Sequence, residues 1–166
     1  MIVAIGGISR AGKTWLSNKI AEKFRTNPIE FGLIHLDDYC KTKENLPRIK
    51  DQINWEVPGS VDTEKLKKEI DKQNDKCDIV IVEGHLIFAL GISHIFNKRL
   101  YLSLTKKSFL DRKKIDNRWG KVPEWYMDYI WKAGLKYSQP PSNFDFFFLS
   151  GESTIQVDLA INYIES

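Results

Sequence analysis

The chain has 166 residues, a size that fits one domain and leaves little room for a second. Hydrophobic residues make up 42%, enough for a continuous core and too many for a disordered chain, and the net charge of +3 is too balanced to argue for a nucleic-acid partner. No apolar run approaches the ~20 residues of a membrane span. The opening apolar segment is short and lacks a basic flank, so it does not read as a signal peptide. The expectation is a cytoplasmic chain, monomer or homodimer, with its thiols at Cys40 and Cys77 reduced.

In chain order, two kinds of segment alternate. Short apolar runs stand at IVAIG (2–6), FGLIHL (31–36), DIVIVEG (78–84), RLYLSL (99–104) and FDFFFL (144–149). Most are apolar on successive residues, the pattern of strands buried on both faces of a parallel sheet. Between them lie amphipathic stretches. TWLSNKIAEKF places Leu16, Ile20 and Phe24 on one helical face, and VDTEKLKKEIDKQ opens with Asp62 as N-cap and carries Leu66 and Ile70 on one side. The mixed charges of KLKKEIDKQNDK read as a solvated face. KKSFLDRKKID and PEWYMDYIWKAGLKY are two further helices, the second with Pro123 in its first turn, and a last helix covers roughly 153–164. Alternation of this kind predicts an α/β doubly wound parallel sheet of five strands, ordered 2-3-1-4-5, as one domain over 1–166. Ligands in such folds gather at the carboxyl ends of the strands, so the residues just past each strand matter most.

Past the first strand, Gly7-Ile8-Ser9-Arg10-Ala11-Gly12-Lys13-Thr14 fits G-x-x-x-x-G-K-[ST] in full. Glycines let successive backbone N–H groups turn toward phosphate oxygens, and the helix starting near Lys13 adds its positive dipole end. Gly7, Ser9, Arg10, Ala11, Gly12, Lys13, Thr14 and Trp15 are therefore the expected nucleotide-phosphate contacts, with Lys13 reaching the β- and γ-phosphates and Thr14 placed to hold Mg²⁺. Trp15 is a bulky residue for a first helical turn.

Past the second strand comes Asp37-Asp38-Tyr39. A carboxylate there can accept a proton from an attacking hydroxyl or hold water on a metal, and an Asx turn or helix cap fits the position equally well. DIVIVEG ends an apolar strand on Glu83, the general form of a magnesium-positioning carboxylate. In INWEVPGSVD, Trp55 can stack on a flat ring and Glu56 can accept bonds from sugar hydroxyls, or the tryptophan can simply cover the domain edge. Lys106, Lys107, Arg112, Lys113, Lys114 and Arg118 crowd a segment, roughly 106–123, that reads either as a basic lid or as an exposed basic helix. The three histidines show no metal-ligand spacing, and His35 suits a core or supporting role.

With these residues in order, the chain resembles the nicotinamide riboside kinases, a branch of the uridine kinase-like P-loop kinases. The likeness rests on GISRAGKT, HLDDYCK, NWEVPGSVD, IVEGHLIF and DRKKIDNRW, and reaches to about residue 151. It implies transfer of the γ-phosphoryl of ATP, with Mg²⁺, to the 5′-hydroxyl of a ribonucleoside, most specifically nicotinamide riboside. It casts Asp37 as general base and as part of the metal site beside Thr14 and Glu83. Lys13, Arg112 and Arg118 would neutralise charge on the phosphates, and adenine would lie between the lid arginines and SGES (150–153). Asp38 and Tyr39 would flank the acceptor, Trp55 would stack on the pyridine ring, and Glu56 would hold the ribose hydroxyls. The family more often has Asp at this last place, and the segment between Asp62 and the third strand is shorter than in many relatives. A uridine or cytidine kinase, or another small-molecule P-loop kinase, is the neighbouring reading. A nucleotide-binding regulator is more distant, since no N-K-x-D guanine motif occurs.

Overall fold

Burial on both faces explains why the strands are apolar at consecutive positions. In the computed structural model, which describes residues 1–25, 29–116, 122–152 and 154–166, β1 (Ile2–Gly7) sends Val3 and Ile5 into one core and Ala4 into another on the opposite face. The first core gathers Leu16, Ile20 and Phe24 of α1 (Lys13–Phe24) and Ala160, Ile161 and Ile164 of α5 (Val157–Glu165). The second gathers Leu66 and Ile70 of α2 (Thr63–Asn74) with Leu86, Ile87 and Phe88. A third, smaller cluster joins Phe109 of α3 (Lys106–Lys114) to Tyr126 and Ile130 of α4 (Glu124–Tyr137).

The sheet is parallel throughout: β2 (Phe31–His35) lies at one edge, then β5 (Ile79–Glu83), β1, β6 (Lys98–Ser103) and, at the other edge, β7 (Phe147–Ser150). The order is thus β2-β5-β1-β6-β7, which differs in its labels from the expected 2-3-1-4-5 but sets the same five segments side by side. The numbering changes because the chain spends β3 (Arg48–Ile49) and β4 (Gln52–Ile53) on a separate antiparallel hairpin before returning to the sheet. Strands of two residues have no period to read. The last sheet strand also starts later than expected. Phe144 instead lies under the Arg99 guanidinium at 4.4 Å, and Phe146 meets Phe88 edge-on. The closing helix starts at Val157 rather than near 153, and Pro123 occupies the N-cap of α4, one place before its first turn.

Helix starts follow local chemistry. The Asp62 side chain accepts from Lys65 N at 3.0 Å, and Thr105 caps α3 through Ser108 N. α1 differs: its N-cap is Gly12, in the left-handed region at φ 100°, with no side-chain cap, so its first N–H groups stay open. No described helix is long and apolar enough to cross a membrane.

Helix α4 approaches the loop after β1 through a missing side chain. A Cβ on Gly134 would lie 2.4 Å from Ile8 Cγ1. Two effects oppose each other in Gly134→Ala, a helix-propensity gain of up to about 1 kcal/mol and an overpacking cost of about 1–3 kcal/mol. Overpacking is expected to win. Urea denaturation should show net destabilisation, and a more stable variant would mean the helix can slide away from Ile8.

Candidate active site

The loop between β1 and α1 is shaped by three residues with positive φ. Gly7 (139°) and Gly12 (100°) take conformations that suit glycine, and Arg10 (69°) sits in the left-handed region despite its side chain. Space demands glycine as well as torsion: a Cβ on Gly7 would meet Leu102 O at 2.3 Å. Ala11 N bonds to Ile8 O at 3.2 Å and closes the turn.

Lys13 follows at the first position of α1 with only 8% of its surface exposed. Its Nζ donates to Ile8 O at 3.1 Å. Burial pushes the Lys13 ammonium below its ordinary range, and Glu83, Asp37 and Glu56 push it back up. All three carboxylates come from the sequence-predicted set and converge on one cation. The next residue, Thr14, donates from Oγ1 to Glu83 Oε1 at 2.8 Å. That same oxygen lies 2.8 Å from His35 Nδ1, so His35 is a support for the carboxylate at the strand end. Parallel register makes this possible, since His35 pairs with Glu83 across β2 and β5, and Ile5 pairs with Glu83 across β1 and β5.

Beside the loop opens a cavity of about 660 Å³. Ser9 and Asp37 stand on its wall together with Trp55, Glu56, His85 and Tyr126. The 54–62 segment is zipped to the 37–41 segment by a Cys40–Val61 bridge, with Lys41 N on Ser60 O at 2.9 Å and Asp62 N on Tyr39 O at 2.8 Å. Buried Ser60 secures the turn from within, its hydroxyl donating to Val57 O at 2.8 Å and Trp55 O at 3.1 Å. Asn54 is fixed by Tyr129 (2.7 Å) and in turn accepts from Glu56 N (3.2 Å). Trp55 keeps about a third of its surface exposed and Glu56 is half-buried.

Two expected acceptor contacts stand apart from this wall. Asp38 is exposed, and Tyr39 lies under the Lys65 ammonium at 5.6 Å, facing α2. Trp15 borders a separate, shallow hollow with Ile155, Val157 and Leu159.

From the lid region, Arg112 donates to Arg10 O at 3.0 Å and Gly151 O at 2.5 Å, joining α3 to the loop after β1 and the loop after β7. Arg10 in turn pairs with buried Asp116 at 3.2 Å. Arg118 lies outside the described residues, as does Ser153. Sequence reasoning missed His85, Tyr126 and the hairpin residues Arg48, Asp51 and Gln52 on the cavity wall. For His85 one signal existed: it stands two places after Glu83, at a strand's carboxyl end.

This chain resembles several solved structures across nearly its full length. A possible uridine kinase from Bacillus stearothermophilus matches with a TM-score of 0.54 at 18% identity, covering 89% of this chain and 88% of that one. Shikimate kinase from Aquifex aeolicus gives 0.57 at 18%, covering 99% and 96%. A sugar kinase from a Janibacter species gives 0.62 at 13%, covering 99% and 94%. The fold is the one these kinases share. No family model and no curated protein matches the sequence.

Tyr126 supplies a test of the wall. Its hydroxyl donates to Ile53 O at 2.9 Å, and burial, then the charge of Glu56, raises its pKa to about 12. Above its ordinary value of 10.0 the unfolded chain sheds this proton while the folded chain keeps it. Stability from Tyr126 is therefore full below pH 10 and is lost as pH climbs toward about 12. Melting temperature should fall across that window. Tyr126→Phe should melt lower at neutral pH and show a shallower decline, and an unchanged slope would put the alkaline sensitivity elsewhere.

Proposed function

We propose that this chain is an ATP-dependent small-molecule kinase that phosphorylates the 5′-hydroxyl of a ribonucleoside, with nicotinamide riboside as the favoured acceptor. The observation that carries the proposal is a buried lysine at an uncapped helix start, under the charge of Glu83, Asp37 and Glu56, the last two of which line an acceptor-sized cavity. The five-stranded kinase fold of the solved neighbours supports the reaction class. The narrower choice of acceptor rests on Trp55 and Glu56 within NWEVPGSVD.

In this reading the loop 7–14 receives the phosphates of ATP on its backbone N–H groups, and Lys13 supplies positive charge where it builds on the transferred group. Phosphoryl transfer leaves a protein little covalent chemistry, so its work is positioning and charge neutralisation. Asp37, exposed on the cavity wall, accepts the proton of the acceptor hydroxyl. Trp55 offers a flat face to the acceptor's ring, and Glu56 accepts from its sugar hydroxyls. Arg112 and Arg118 belong to the lid, and Ser9, Arg10, Ala11 and Gly12 to the phosphate cradle. Asp38 and Tyr39 stand apart from the cavity wall and Trp15 borders another hollow, so this reading assigns them no contact with the acceptor or the phosphates.

The donor set fits magnesium. Thr14 Oγ1, Glu83 and Asp37 are hard oxygen ligands, and Mg²⁺ in kinase sites takes one or two carboxylates with waters and phosphate oxygens rather than a full protein cage. Thr14 and Glu83 would hold the ion, with Asp37 beside them. When bound, it would offset phosphate charge.

A panel of nucleosides, shikimate and sugars with ATP and magnesium tests the acceptor. Turnover of nicotinamide riboside is expected, and turnover of uridine alone would overturn that choice. Tight GTP binding with no acceptor phosphorylated would favour a regulator. Lys13→Ala should abolish transfer, and near-wild-type kcat would contradict the phosphate-loop assignment. Trp55→Ala should raise KM for the nucleoside by the equivalent of about 1–3 kcal/mol of stacking. If ATP affinity alone suffered, Trp55 would belong to the other substrate.

A further inference from the structure

His85 is placed where no ordinary structural role uses it. It sits just past β5, its side chain is 18% exposed, and its Nε2 is buried without a hydrogen-bond partner among the described residues. Buried polar atoms in folded proteins almost always have partners, so an unbonded one in a residue lining a cavity asks what completes it. Glu56 Oε2 lies 3.4 Å away, within ion-pair range but without the geometry of a hydrogen bond. Glu56 is also anchored through its backbone, by Asn54. Both side chains face the same 660 Å³ cavity, next to Trp55.

We infer that Glu56 and His85 together bracket a single hydroxyl of the acceptor. That hydroxyl donates its proton to the Glu56 carboxylate and accepts from His85 Nε2–H, with the histidine proton on Nε2. One oxygen then completes both groups, using its donor and one lone pair, where their direct contact is a 3.4 Å ion pair without hydrogen-bond geometry. His85 thereby becomes a specificity residue for a hydroxylated acceptor. The inference deepens the proposed function and rests on it, since the hydroxyl is read as one of the sugar's ring hydroxyls, away from the 5′ position that is phosphorylated. An apolar pocket discriminates weakly against a missing hydroxyl, whereas a site that would leave two buried polar groups unpaired discriminates strongly.

The experiment compares a ribonucleoside acceptor with its 2′-deoxy and 3′-deoxy forms in wild type, His85→Leu and His85→Gln. In wild type, one of the two deoxy forms should lose at least about 100-fold in kcat/KM. His85→Leu should lower kcat/KM for the ribonucleoside about 10-fold through KM, leave KM for ATP unchanged, and cost that deoxy form less than about 2-fold. His85→Gln keeps an N–H donor and should recover most of the loss. Thermal melting of each variant separates this from misfolding, and His85→Gln carries the test if His85→Leu does not fold. Equal losses on all three acceptors, or a loss confined to ATP, would overturn the inference while leaving the kinase reading intact. A wild-type protein that phosphorylates no nucleoside would overturn both.

Discussion

The site depends on keeping an ammonium group out of water. Removing a charge from solvent costs several kcal/mol even after relaxation, in order-of-magnitude terms. At Lys13 the local hydrogen bonding is thin, a single carbonyl from Ile8. What keeps the charge there is the field of Glu83, Asp37 and Glu56, each delivered by a different part of the chain. Three carboxylates thus act on Lys13 against its burial and against the nearby Arg10 guanidinium, and two of them, Asp37 and Glu56, line the cavity beside the loop.

Each carboxylate arrives for a topological reason. Parallel strands all end on the same side, so Glu83 at the end of β5 and Asp37 just beyond β2 come within reach of the loop after β1 without any special contact between them. Glu56 comes from irregular chain and needs more help. The Cys40–Val61 bridge, the Ser60 hydroxyl and the Asn54–Tyr129 bond carry its loop back toward the sheet. A polar residue buried in a loop must be satisfied, and Ser60 and Asn54, both nearly inaccessible, are satisfied by this closure. Position at a strand end is robust, whereas position on a zipped loop depends on every tooth of the zip.

That difference explains what could be read in advance. The loop 7–14, the five sheet strands and the carboxylates after them were legible, because strand burial leaves long apolar runs and the loop motif fixes the residue type at four of eight positions at once. Asp62 was legible as a cap for the same local reason. The β3–β4 hairpin was not, since its strands have two residues each and no alternation. His85 was hard to read for another reason: apart from its place just past a strand end, a lone histidine has no pattern, and its meaning comes from Glu56, nearly thirty positions earlier in the chain. Tyr39 illustrates the converse. Proximity in sequence to Asp37 put it in the expected acceptor set, but the 3-10 turn Leu36–Tyr39 rotates its ring toward α2.

Helix α3 shows the same physics in its ties to the loops around it. Arg112 spends its guanidinium on two neutral carbonyls, Arg10 O and Gly151 O, and so ties α3 to the phosphate loop and to the loop after β7. On the other side, Glu152 accepts from Thr105 N and Ser108 Oγ, clasping the start of the same helix, and the Ser108 hydroxyl, followed by the Thr105 N–H, holds its carboxyl below the ordinary range. An arginine resting on carbonyls at the rim of the loop after β1 holds its helix in place through two charge-assisted bonds. Arg10 is held differently, since its partner is the carboxylate of Asp116, buried to within a few per cent. Of the two arginines at this rim, one is paired with a buried carboxylate and the other with neutral carbonyls.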